Sequence, residues 1–310
     1  MRIITLFFLV SACFLTVNAE ETISSYKPNA IQFNRLTDDT LDIFIQKYGK
    51  DSLLRMIDKS IYKTKELLKA YNRYNSDIEL ALKFNGVNKH FNLGLDSFIM
   101  IDEKLVKKNF TKSYGKIIGD TAFVRESVSN VDKKNIYGLF VQSMYTKQGR
   151  SGLAVFCNEF NISGKMLDTL YKSFDYYSKS IQLEYYWTFT EFDRDCGTKE
   201  NNSAAYKTQI FNKLNKVYNL GKIASDTSTI TAKNMVERSL SNSLELFALG
   251  LYGKDITLKN NAKDIVYFLT LQQTDGGWQE YNVNGQYAKF KPTFYGLWAL
   301  LELREEIRKL

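Results

Sequence analysis

Apolar positions recur along this chain at steps of three and four, the spacing that places side chains on one face of an α-helix. Leu167, Leu170, Phe174, Tyr177 and Ile181 follow it behind Ser163, whose side chain suits a helix N-cap. Val236, Leu240, Leu244, Phe247 and Leu251 follow it up to Gly253, where a glycine stops the run. Leu54, Ile57, Ile61 and Leu68 make a further stripe, as do Tyr206, Ile210, Leu214 and Val217. No convincing strand or hairpin pattern competes, and the spacing predicts about ten or eleven helices. Only two prolines occur, Pro28 and Pro292, where ordinary usage would give about fifteen. A chain that avoids helix breakers this strictly is expected to be all-α.

Resemblances between segments suggest how the helices are arranged. Tyr137-Gly-Leu-Phe140, Leu244 to Leu249 and Tyr295-Gly-Leu-Trp-Ala-Leu300 look alike, and Tyr185-Tyr-Trp187 falls between the first two. Their aromatics Phe140, Trp187, Phe247 and Trp298 are separated by 47, 60 and 51 residues. That is the length of a helix pair with its connections, and a period of this size suggests stacked or ring-closed helical hairpins. The competing reading is that aromatic helical cores look alike by chance.

The first residues read as a targeting segment. Met1-Arg2 gives a positive start, Ile3 to Thr16 is apolar apart from Thr5, Ser11 and Thr16, and Val17-Asn18-Ala19 ends in a cleavable small-residue pattern. Residues 1–19 are therefore expected to be a signal peptide, with a single domain over residues 20–310 and export to the extracellular space. Removing 19 of the 310 residues leaves 291, and losing Arg2 from 42 basic against 34 acidic residues leaves a formal charge of +7. No second apolar span follows, so no membrane span is expected. In an oxidising compartment Cys157 and Cys196, the pair left after Cys13 departs, are expected to form one disulfide. Export also gives meaning to the Asn-x-Ser/Thr triplets at Asn109, Asn161 and Asn201, which become glycosylation sites if the host glycosylates.

The stretch from Leu269 to Asn282 carries the most specific local signal. Leu258, Ala262, Ile265, Leu269 and Gln272 form a stripe ending near Gln272, and Thr274-Asp-Gly-Gly277 is the turn that stops it. Glycine there tolerates positive φ. Pro292 then suits the first turn of a helix running from Thr293 to Arg304. Lys263, Tyr267, Gln272, Gly276 and Trp278 together resemble the QW motif of the terpene cyclase and prenyltransferase α/α-toroid superfamily. The resemblance covers about 40 residues, from Asp264 to Leu303. It implies an α/α-toroid, a complete or incomplete barrel of about five to six helical hairpins. It also implies that Gln272 caps a neighbouring helix start while Trp278 stacks beside it.

Function does not follow from that architecture. Asp193-Arg194-Asp195-Cys196 lacks the last Asp of a class II cyclase acid, and Cys196-Gly-Thr-Lys199 lacks the acyl donor of a thioester. A single histidine, His90, argues against the zinc of prenyltransferases, so neither metal nor cofactor is expected. The basic excess is spread thinly, with pairs such as Lys107-Lys108 and Lys133-Lys134, which does not suit nucleic acid. Two readings remain. The first is a secreted binding or effector protein in an extracellular fluid or at a host interface, whose ligand is an acidic glycan or a host protein. The alternative is an extracellular lyase or hydrolase on a uronate-containing polysaccharide, the activity of several toroid families. Its candidate catalytic residues are His90, Tyr145, Tyr186, Asp193 and Arg194, with Tyr185, Trp187 and Tyr281 as ligand contacts and Glu191 beside them. With 20 tyrosines in the chain, those aromatics also read simply as helical core.

Overall fold

Serine side chains at Ser163 and Ser239 cap two of the helices in this chain, and buried faces pair the helices with one another. The structure, a computed structural model, describes residues 45–46, 49–71, 78–95, 150, 153–154, 163–195, 202–225, 229–282 and 286–310. Its helices are α1 (Lys50–Ala70), α2 (Ile78–Phe91), α3 (Gly164–Ser173), α4 (Lys179–Asp195) and α5 (Ser203–Tyr218). They are followed by α6 (Leu220–Ser225), α7 (Leu240–Tyr252), α8 (Ala262–Thr270) and α9 (Phe290–Arg308). The described residues contain no strand beyond an isolated bridge between Ser239 and Tyr281, so the fold is all-α. The signal segment, Cys157, Cys196, Asn109, Asn161, Asn201, Tyr145 and the Phe140 repeat all lie outside the described residues.

Ser163 caps α3 as expected, accepting from the amide of Met166 at 3.4 Å. The stripe from Leu167 to Ile181 is, however, two helices. After α3 a 3-10 turn runs from Phe174 to Tyr176, Tyr177 is extended, and α4 starts at Lys179. The side-chain amide of Gln182 donates to the carbonyls of Phe174 and Tyr177, both at 3.1 Å, and so closes the reversal. The three-four spacing survives because both halves face one core, where Tyr185 packs on Phe174 and Tyr177. Val236 also falls outside its helix. Ser239 caps α7 instead, leaving Val236 46% exposed.

Four helices run in the same direction. Along α7 and α9, Glu245 lies 3.9 Å from Lys291, Tyr252 packs on Trp298 with ring centroids 5.3 Å apart, and Lys254 reaches Glu306 at 2.6 Å. Helix α4 keeps that sense, with Glu191 accepting from the Tyr252 hydroxyl. Helix α2 does too, with Phe84 against Phe290 and Phe294 near its start and His90 acting on Glu302 near its end. The outer helices return. Along α1, Lys50 donates to the Arg308 carbonyl at one end and Tyr71 to the Ala288 carbonyl at the other. Along α5, Lys207 reaches Asp193 and Lys213 reaches Asp175. Residues 240–251 of α7, 292–303 of α9 and 182–190 of α4 are buried on every side. Helix α1 buries only the face of Leu53, Ile57, Ile61, Thr64 and Leu68.

The Gly-Gly-Trp turn fastens α1 to α9. Gly276 has a φ of 96°, and its carbonyl accepts from Thr64 Oγ1 of α1 at 2.7 Å. Gln272 donates its amide to that same Thr64 oxygen and to the Gly276 carbonyl, each at 3.0 Å. It therefore caps no helix start: the side chain is consumed holding its own turn against the middle of α1. Trp278 is fully buried, stacked on Phe268 with centroids 5.4 Å apart and planes at 6°. Its backbone amide donates to Thr293 Oγ1 at 3.1 Å, and its ring occupies the space where a side chain on Gly296 would stand. Lys263 lies 5.9 Å from the Tyr267 ring on the exposed side of α8.

Gly276→Val is expected to destabilise the protein by about 1–3 kcal/mol, the usual cost of a strained backbone position. A Cβ there would also stand 2.7 Å from the Lys63 Cβ and 2.8 Å from the Thr64 nitrogen. Urea unfolding measures the loss, and an unchanged midpoint would contradict the turn geometry.

Candidate functional site

The region enclosed by α2, α4, α7 and α9 holds the charged and aromatic groups best placed for function. At its centre, Lys83 of α2 is fully buried and donates to Glu79 one turn earlier and to Glu245 of α7. Its ammonium lies 4.7 Å from the centre of the Trp187 ring and 5.9 Å from that of Tyr295. Lys291 stands 3.9 Å from the second Glu245 oxygen, so two ammonium groups face two carboxylates. Burial alone would push the Lys83 pKa down, but Glu245 and Glu79 outweigh it and hold the value at about 12. A lysine so held is a fixed charge and not a nucleophile.

Toward the C-terminal ends of the four helices, two tryptophans repeat one device. Trp187 Nε1 donates to Glu191 at 3.0 Å, and Trp298 Nε1 donates to Glu302 at 3.1 Å, each one helical turn ahead. Tyr252 sits between them. Its hydroxyl donates to Glu191 at 3.4 Å, its ring packs edge-on to Trp298, and the Arg194 guanidinium lies 3.6 Å from its centre. Burial raises the Glu302 carboxyl above the ordinary range, against the opposing pull of the Trp298 bond and of Lys254, Arg194 and His90. The Trp-x-x-x-Glu spacing is visible at 187/191 and 298/302, and it was the signal that could have found Glu302. Nothing local marks Tyr252 or the partnership of Lys83 with Glu245, which are far apart in sequence.

The tyrosine-tryptophan run does not form one platform. Successive helical residues point about 100° apart, and the three side chains leave α4 in different directions. Tyr185 turns to Ser173, 2.8 Å away, and lies under Arg150, which pairs with Glu184. Tyr186 donates to Asp255 at 2.8 Å and packs on Phe211. Only Trp187 faces Lys83. Asp193 is engaged by Lys207 at 2.6 Å. His90 is exposed at the end of α2, edge-on to Phe91. Tyr281, half-buried, is at the other end of α7, in the bridge to Ser239. Of the candidates in the described residues, Trp187 and Glu191 face the space between the four helices, and exposed Arg194 and His90 lie at its C-terminal end. Among the described residues no group of three or more His, Cys, Asp or Glu side chains is placed to hold a metal ion.

The tyrosines are poor bases. Burial raises the pKa of Tyr71, Tyr185, Tyr186 and Tyr218, with Asp255 adding to the effect at Tyr186. Because each folded-state value exceeds the unfolded one, their contribution to stability is complete below about pH 10 and is lost as pH climbs toward the folded values. In an alkaline titration these four are expected to ionise in one cooperative step that coincides with loss of helical circular dichroism. Smooth ionisation of every tyrosine with the helix signal intact would contradict their burial.

No protein-family model, curated protein or solved structure matches this chain.

Proposed function

We propose that the protein is exported and acts as a binding or effector protein in an extracellular fluid or at a host interface, on a helical ring of the α/α-toroid type. The N-terminal charge, apolar run and small-residue cleavage pattern support export. No helix among the described residues is long and apolar enough to cross a membrane. Parallel α2, α4, α7 and α9 with returning α1 and α5 are the arrangement that repeated helical hairpins would make, and the turn at Gly276 is consistent with the QW resemblance.

The observation that carries the binding reading is the state of the groups between the four helices. Lys83 and Lys291 offset the charges of Glu79 and Glu245, Glu191 and Glu302 are held by indole donors, and Tyr186 is held by Asp255. Groups committed to internal partners stabilise and shape a surface more readily than they transfer protons. Incubation with uronate-containing polymers is the deciding test. The binding reading expects a stable complex with no unsaturated sugar product in the ultraviolet spectrum, whereas accumulation of that product would establish a lyase.

A further inference from the structure

Where α5, α7 and α8 meet, polar side chains line a small cavity. Asn215 and Tyr218 line it from one face of α5, Ser243 from α7 and Asp264 from the first turn of α8, with Leu246 and Phe247 beside them. Its volume is about 10 Å³, the room that one water-sized particle needs, and it is partly open. The polar groups around it are short of partners. Tyr218 is 1% exposed, yet its hydroxyl makes no hydrogen bond among the described residues, and the Asn242 amide that acts on it donates to the Val236 carbonyl at 3.2 Å. Asp264 pairs with no lysine or arginine among those residues, and the Asn261 amide reaches it only at 3.5 Å. Lys263, its neighbour in sequence, lies by the Tyr267 ring instead. The Asn215 side chain makes no hydrogen bond among them, and Ser243 uses only its proton, on the Ser239 carbonyl at 3.3 Å. Unsatisfied polar groups in a folded chain are few, and several around one cavity point to a ligand.

We propose that the cavity binds one small monovalent cation, sodium, potassium or ammonium, through the oxygens of Asp264, Asn215, Ser243 and Tyr218. Hard cations take oxygen ligands, and each of these side chains has oxygen lone pairs to offer. The volume admits one ion and no larger molecule. A single carboxylate matches a single positive charge, whereas calcium takes about six to eight oxygens. The local field has the required sign. Burial first, then Glu245 and Glu237, push the Tyr218 pKa upward, so its hydroxyl stays neutral in the field of two carboxylates. Bound there, the ion ties the start of α8 to α5 and α7. The site is independent of the binding reading above.

Thermal melts of the full-length protein in sodium, potassium, ammonium and tetramethylammonium chloride at equal ionic strength test the proposal, the last cation being too large for the cavity. A small cation that binds is expected to raise the melting temperature by about 2 °C or more over tetramethylammonium, because a ligand of the folded state alone stabilises it. Whichever of the three gives the largest rise names the ion, and any of them upholds the site. Asp264→Asn should abolish the rise, while Asp51→Asn, an equal charge change at the exposed start of α1, should preserve it. Tyr218→Phe removes only a hydroxyl without a protein partner. In tetramethylammonium it should therefore melt no lower than wild type, and yet respond less to the small cation. Equal melting of wild type in all four salts would mean that the cavity takes water alone, and would overturn the site. A rise that Asp264→Asn and Tyr218→Phe leave unchanged, or that Asp51→Asn abolishes equally, would do the same. So would a lower melt of Tyr218→Phe in tetramethylammonium, since the hydroxyl would then already be engaged within the protein.

Discussion

Trp278→Ala is expected to lower stability by about 3–5 kcal/mol, the cost of truncating a large core aromatic whose surroundings cannot collapse into the space. For a domain whose whole stability is about 5–15 kcal/mol, that is enough to leave much of the protein unfolded at moderate temperature. The geometry explains why collapse is difficult. Phe268 stacks on one face of the indole, and Gly296 of α9 is pressed so close that a Cβ there would lie 2.3 Å from the ring. The indole nitrogen is buried without a hydrogen-bond partner, so the residue is held for its shape. Trp278→Phe should therefore be the milder change. Urea unfolding of the variants gives the answer: if Trp278→Ala melts with wild type while ligand binding is lost, the turn is a binding site and not scaffold.

Removing the cation from the central ion cluster is expected to be about as damaging. Lys83→Met leaves Glu79 and Glu245 buried without the ammonium that bridges them, with Lys291 3.9 Å from Glu245. Breaking a buried ion pair by deleting one partner costs about 3–5 kcal/mol, because the remaining charge has lost its hydration and gained nothing in return. Neutralising the carboxylates should then recover stability, so Lys83→Met with Glu79→Gln and Glu245→Gln is expected to be more stable than Lys83→Met alone. In wild type the folded Lys83 pKa of about 12 exceeds the ordinary value of 10.5. Its contribution is accordingly complete below that ordinary value and lost as pH rises through about 12. Denaturant midpoints for the single and triple variants test the cluster, and a Lys83→Met midpoint equal to wild type would show that the charges are solvated.

How much of this could be read without coordinates differs from residue to residue. The turn at Gly276 was legible because a glycine between a helical stripe and a tryptophan points to positive φ, a requirement settled within a few residues. The Ser163 cap and the stop at Gly253 were legible for the same reason. The reversal at Tyr177 was not, since a chain that turns back on the same core keeps its three-four spacing. Nor was the fate of Gln272, whose partner Thr64 lies 208 residues away. Tyr185 and Tyr186 looked like neighbours in one site, as ligand contact and catalytic candidate, until the helix sent them to different partners.

Sequence by itself determined the all-helical class, the cap at Ser163, the stop at Gly253, the chemistry of the Gly-Gly turn and the buried stripes of the outer helices. These depend on backbone preferences and on the period of apolar residues, both short-range. Only the tertiary structure decided which charges meet, as with Lys83 and Glu245, 162 residues apart, and Arg194 above Tyr252. Such pairings are chosen by the packing of whole helices. Once packed, burial changes the energy of every charge inside, so a residue's chemistry belongs to its surroundings more than to its position in the chain.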